Sequence, residues 1–167
     1  SCAGLTSITI PDSVTSIGGD AFYNCGSLEA VHITDIGKWA AIDFGNSDAN
    51  PLDYAGNLYL NGELVTDLVI PGGVTSIGDY AFYGCSGLTS VTIPGGVTSV
   101  GDRAFCGCDS LTSITIPDSV TSIGDSAFNS CDSLTSVTIG NGVTSIGDSA
   151  FAYCDSLTSV TIGSGVT

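Results

Sequence analysis

The chain has 167 residues, 43% apolar and only 11% charged, and sets Lys38 and Arg103 against fifteen Asp and two Glu for a net charge of −15. That balance excludes nucleic acid, whose binding runs on Lys and Arg, and docking on anionic lipid, while leaving basic partners or cations open. No apolar run reaches the roughly 18 residues of a membrane-spanning helix, and a chain rich in Ser, Thr and Gly but poor in Lys and Glu suits short strands and turns better than a helical bundle.

Along the chain one pattern recurs. Leu88, Leu111, Leu134 and Leu157 lie 23 residues apart, as do Phe82, Phe105, Phe128 and Phe151, and Cys85, Cys108, Cys131 and Cys154. Units open at Leu5, Leu28, Val65, Leu88, Leu111 and Leu134, with a partial unit from Leu157. A fixed period of this length is the mark of a repeat architecture. Because the chain starts and stops partway through a unit, it reads as a single repeat domain over 1–167 that is a fragment of a longer chain.

Within a unit such as 111–133, Ile114 and Ile116 alternate with Thr115, the period-2 mark of a strand with one buried face. Pro117 ends that strand by removing an amide donor, and Asp118-Ser119 makes a turn. Val120 and Ile123 point inward, Gly124 supplies a bend, and Asp125 is placed to cap one helical or 3-10 turn over Ser126-Ala127-Phe128. One such coil cannot bury its own apolar face, but stacked coils can. Like residues then align in columns, with parallel strands about 4.8 Å apart, and each buried Phe contributes roughly 1.5–3 kcal/mol.

The second unit breaks this order: Leu28 to Val65 spans 37 residues, a repeat lengthened by 14, with an insertion over about 36–64. Ile36, Trp39 and Ala40 fall at helical spacing after Asp35, a candidate cap. A loop follows at 45–51. Then Asn61-Gly62 separates two apolar runs, the strongest short signal for a hairpin. Trp39, Tyr54 and Tyr59 make this the most aromatic stretch, and two readings stand. Irregular loops on a rigid scaffold often bind and aromatics favour contact sites; alternatively, Trp39 plugs the gap left by an irregular coil.

The recurring cysteines read as buried, reduced thiols acting as small apolar groups. Cys106 stands beside Cys108 without the further ligands a metal would need, and no metal or other cofactor is expected. The column Asp79, Asp102, Asp125 and Asp148 reads as a solvated, mutually repelling row rather than a calcium site. Catalysis finds no support, since repeated residues are scaffold and no nucleophile, phosphate-loop or zinc-protease pattern is present.

The run I-P-x-x-V-T-S-I-G-D-x-A-F-x-x-C-x-x-L-T-S-V-T-I, present from Ile93 and Ile116 with little change, resembles the BspA-type leucine-rich repeats of bacterial and some protozoan surface proteins. The resemblance implies an α/β leucine-rich-repeat solenoid, with a parallel sheet on one face and short helical or 3-10 turns and loops on the other. It also implies a non-enzymatic adhesion module at the cell surface or secreted, binding a protein on a host or neighbouring cell. The outward strand residues are the candidate contact face: His32, Asp67, Val69, Ser90, Thr92, Ser113, Thr115, Ser136 and Thr138, joined by Trp39, Tyr54 and Tyr59 of the insertion. A spacer that projects another domain is the alternative, and ice or carbohydrate binding by the Ser/Thr array a weaker one. End-to-end self-association through the open ends is a further expectation.

Overall fold

In a computed structural model describing residues 2–166, the chain winds as a solenoid of seven coils with strands on two sides. The first side carries β1 (Ser7–Thr9), β3 (Ala30–Ile33), β5 (Leu58–Leu60), β6 (Glu63–Leu64), β7 (Asp67–Val69), β9 (Ser90–Thr92), β11 (Ser113–Ile116), β13 (Ser136–Ile139) and β15 (Ser159–Ile162). The second carries the two-residue strands β2 (Ser16–Ile17), β4 (Asp43–Phe44), β8 (Ser76–Ile77), β10 (Ser99–Val100), β12 (Ser122–Ile123) and β14 (Ser145–Ile146). All pairings are parallel except β5 with β6. In the regular coils the register joins residues one repeat apart, as in Thr115 with Thr138.

The expected columns are present. Phe82, Phe105, Phe128 and Phe151 stack with ring centroids 5.2–5.3 Å apart and planes within 9° of parallel. Cys85, Cys108 and Cys131 are buried beside them, and their thiols are free. The Sγ of Cys108, Cys131 and Cys154 lies 3.2–3.4 Å from the carbonyl oxygens of Phe82, Phe105 and Phe128. Burial pushes the Cys85 thiol up to about 12 and Cys108 well above its ordinary value, so both thiols keep their protons and can donate.

Three local expectations change. First, the segment Ser126-Ala127-Phe128 is a turn, not a helical or 3-10 one. Only Ala127 N–H bonds back along the chain, to Gly124 C=O at 3.4 Å; Ser126 N–H donates to Asp148 C=O and Phe128 N–H to Ala150 C=O, both at 2.8 Å. A helix is ~10 Å across and cannot repeat every ~4.8 Å, so neighbouring coils take these amides instead. Ser126 adopts a φ of 55°, which also stops helical propagation.

Second, Gly124 is required for close approach rather than for a bend. A Cβ there would fall 2.6 Å from the backbone nitrogen of Asp102 in the previous coil.

Third, the aspartate column is not merely solvated. The Oδ1 atoms of Asp79, Asp102 and Asp125 accept the backbone N–H of Asp102, Asp125 and Asp148 at 2.7–2.8 Å. Each carboxylate ties its coil to the next one instead of capping its own turn.

The insertion follows its sequence signals closely. Helix α1 (Ile36–Ala40) is capped by Asp35, whose Oδ1 accepts Lys38 N–H at 3.0 Å, and it buries Ile36, Trp39 and Ala40. The stretch 45–51 read as a loop contains a 3-10 turn at Ser47–Ala49 capped by Asn46, and α2 (Leu52–Ala55) follows directly after it. Asn61 and Gly62 carry φ of 53° and 91°, as a two-residue turn of this hand demands, and join β5 to β6. Helices are thicker than coils. We read the extra strands β5 and β6 as the filling that widens the sheet side to match α1 and α2 opposite.

Candidate functional site

The first sheet presents a row of side chains to solvent. Thr92, Ser113, Thr115 and Thr138 are exposed, Ser90 and Ser136 half-buried. Position in the coil gives otherwise identical threonines different jobs. Thr89, Thr112, Thr135 and Thr158 donate their hydroxyls to the carbonyls of Thr66, Thr89, Thr112 and Thr135 at 3.0–3.3 Å. Thr98, Thr121 and Thr144 do the same to Thr75, Thr98 and Thr121 at 3.0–3.1 Å. Those hydroxyls are consumed by the stack. Thr92, Thr115 and Thr138 have no such bond among the described residues, so their hydroxyls face water and any partner.

Towards the N-terminus the face changes character. His32 and Tyr59 pair across β3 and β5, with ring centroids 4.9 Å apart and planes tilted by 31°. Val69 is 63% exposed, a large apolar group in open solvent. Asp67 Oδ1 accepts the hydroxyl of Ser90 at 2.6 Å. His32 and Tyr59 thus share the outward face of β3 and β5, and Asp67 and Val69 stand on the outward side of β7, in the next sheet along the solenoid.

The other two aromatics named from sequence lie elsewhere. Trp39 is 1% exposed. It packs edge-on to Phe44 at 5.3 Å and donates its indole N–H to Ala81 C=O at 2.7 Å. This is the gap-filling role, and it removes Trp39 from any contact surface. Tyr54 sits on the turn side, where its hydroxyl donates to Asp48 Oδ1 at 2.8 Å and accepts Asn24 N–H at 2.9 Å. It lines a cleft of about 320 Å³ with Asp53, Tyr83 and Asp109. Burial, and then the neighbouring charges of Asp48 and Asp132, raise the carboxyls of Asp53 and Asp109.

Sequence reasoning missed Asn50, the one polar residue wholly buried among those described. Its Nδ2 donates to the carbonyls of Tyr80 and Ala81 at 2.7 and 3.2 Å, and its Oδ1 accepts Leu52 N–H at 2.9 Å. In regular coils the equivalent Ala carbonyls accept a Phe amide from the preceding coil, as Ala104 does from Phe82. No such amide precedes Ala81, so Trp39 and Asn50 satisfy its carbonyl with side chains. The only hint in the sequence was the break in the repeat itself.

No group of three His, Cys, Asp or Glu placed to hold a metal occurs among the described residues. No helix among them is long and apolar enough to cross a membrane.

Six copies of the BspA type leucine rich repeat region match the chain, over residues 1–46 and 56–167. The chain belongs to this family. The unmatched stretch contains the Asn50 segment and α2, so the family pattern and the structure break at the same place. Among solved structures, a leucine-rich repeat protein from Bacteroides ovatus is 32% identical with a TM-score of 0.58, covering 94% of this chain and 37% of its own length. One from Eubacterium ventriosum is 25% identical with a TM-score of 0.59, covering 97% and 50%. A T. pallidum leucine rich repeat protein shares the fold at 24% identity and a TM-score of 0.61, covering 93% and 68%. The chain thus spans between 37% and 68% of the length of these relatives. Comparison with curated proteins finds no significant match.

Proposed function

We propose that this chain is a non-enzymatic protein-binding module of a surface-exposed or secreted protein, and that it engages its partner through the first-sheet face. The observation that supports this most directly is the outward side of β3, β5 and β7, where the His32–Tyr59 pair and then Asp67 and Val69 replace the regular Ser/Thr columns. Repeated positions carry the stack, whereas these four depart from the Ser/Thr pattern of the regular strands. An aromatic pair, an exposed apolar group and a carboxylate along one side of the solenoid suit recognition of a folded protein surface. The Ser/Thr rows of the later coils, including Ser113, Thr115, Ser136 and Thr138, extend that surface with free hydroxyls. Extracellular placement follows the usual habit of the family's surface proteins.

The spacer reading draws on Trp39 and Tyr54, both tied inward and away from this face. Surface plasmon resonance of the immobilised chain against a panel of extracellular-matrix and cell-surface proteins separates the two. We expect at least one binder, weakened roughly tenfold or more (about 1.4 kcal/mol) by joint His32→Ala and Tyr59→Ala. Tyr153→Ala, on the turn side and 73% exposed, should leave binding unchanged. No binder in the panel, or equal loss from both variants, would favour the spacer.

A further inference from the structure

The first strand side is interrupted between β6 and β7, and again between β9 and β11. Strand β5 is covered on its far side by β6, but neither β5 nor β6 pairs with β7, which begins a new sheet with β9. Strand β7 has one satisfied edge. The carbonyl of Thr66 accepts Ser90 N–H and the amide of Ile70 donates to Thr92 C=O, at 3.3 and 3.1 Å. In a parallel ladder alternate residues bond to opposite sides. The N–H and C=O of Asp67 and Val69 therefore point away from β9, toward β6. No backbone partner meets them among the described residues. In β13 and β15 the equivalent groups bond to the preceding strand, as Thr138 and Thr161 do in their ladders with β11 and β13.

Beside this open edge lies a groove of about 400 Å³. Ile36, Leu60, Leu64 and Val69 contribute apolar lining, and Glu63 and Asp67 stand on its rim. Leu64 and Val69 are largely exposed. An unpaired edge next to an apolar groove is the arrangement in which an added strand is bound: main-chain hydrogen bonds supply affinity and alternate side chains supply selectivity. Three residues of β7 match a bound segment of about 10 Å, at ~3.3 Å per residue.

We infer that the groove between β6 and β7 captures an extended, basic segment of a partner protein as an added strand on the edge of β7. Charge selects the occupant. The rim is acidic, and the whole chain carries −15 with only two basic residues, so a second copy would bring like charge to like. A segment alternating apolar with Lys or Arg side chains places the apolar ones over Leu60 and Leu64 and the cations by Glu63 and Asp67. This inference rests on the protein-binding reading of the same sheet face, but it can fail separately.

The test is fluorescence anisotropy with labelled peptides of about seven residues, long enough to pass the three-residue edge at both ends. The probes are an alternating Val/Lys peptide, its two forms N-methylated at alternate amides, and an alternating Val/Glu peptide. The Val/Lys peptide should bind. One N-methylated form and the Val/Glu peptide should bind at least ~10-fold more weakly, and the affinity of the parent should fall with added salt. Val69→Pro removes the groove-facing amide while leaving the bonds of β7 to β9 in place, and should weaken binding at least ~10-fold. Joint Glu63→Gln and Asp67→Asn, which keeps an acceptor for Ser90, should weaken binding and flatten its salt dependence.

Equal binding of the parent and both N-methylated peptides would overturn the inference, as would unchanged affinity in Val69→Pro together with the Gln/Asn variant. So would a dimer seen by light scattering that Val69→Pro dissolves, since a second copy would then be the occupant. If the peptide behaves as expected while no extracellular protein binds the His32–Tyr59 patch, the edge assignment stands and the wider reading of the face falls. If patch variants abolish partner binding but Val69→Pro does not alter peptide affinity, the reverse holds.

Discussion

The coils from β7 onward and the coil that contains α1 solve the same problem with different groups. In the regular coils, backbone satisfies backbone: Phe82, Phe105 and Phe128 amides each donate to the Ala carbonyl of the following coil. Aspartate and threonine side chains add bonds at the same repeat spacing. In the irregular coil, side chains stand in for missing backbone donors. The indole of Trp39 and the amide of Asn50 satisfy Ala81, and Asn50 reaches Tyr80 as well. The contrast teaches that a repeat can be interrupted if every polar group at the junction finds a new partner. On the strand side the pairing stops instead, at β6 and β7 and again at β9 and β11, and only at the first break does an apolar groove lie beside the open edge of β7 among the described residues.

The comparison can be broken most forcefully in the regular stack. Phe105→Ala, at a site sealed between Phe82 and Phe128, should cost about 3–5 kcal/mol through lost burial and the cavity left behind. The same change at Phe22, half-buried in the first coil, should cost less than half as much. Urea unfolding followed by circular dichroism measures both, and equal losses would mean that the column is not a continuous packed unit.

A smaller effect probes the junction. Trp39→Phe keeps an aromatic ring but removes the indole donor, leaving Ala81 C=O with the longer bond from Asn50 alone. We expect about 1–3 kcal/mol of destabilisation, with faster hydrogen exchange at the amides of residues 36–44 than in the later coils. Uniform exchange along the chain would show that Trp39 has no special part at the junction.

The smallest effect sharpens the account of the aspartate column. Asn can accept the Asp125 amide as Asp102 does, without the charge. Asp102→Asn should therefore change stability by no more than ~0.5 kcal/mol, and should be favourable at low salt where repulsion is least screened. A large loss at every salt concentration would show that the charge itself matters to the bond.

Much of this molecule is legible in its sequence. The spacing of Phe82, Phe105, Phe128 and Phe151 announced stacked coils, because an invariant period leaves stacking as the only way to bury such residues. Helix α1 and the Asn61-Gly62 hairpin were readable because their signals are local: a cap, a helical triplet and a turn pair with positive φ. The candidate face was legible as alternation along each strand. Its composition of partners was not: His32 and Tyr59 lie 27 positions apart and meet only because β5 joins the sheet beside β3. Trp39 and Tyr54 looked like members of the same aromatic group until folding sent one to the core and the other to the turn side.

By itself, then, the amino-acid order determined the period, the inward columns and the local elements, since these depend on residues within one coil and on their exact recurrence in the next. The tertiary structure alone decided which threonines spend their hydroxyls on the stack, which carboxylate receives which amide, and which strand edge stays open. Those outcomes are hydrogen bonds between residues a full coil or more apart. Their partners are chosen by how coils of unequal thickness are laid against one another.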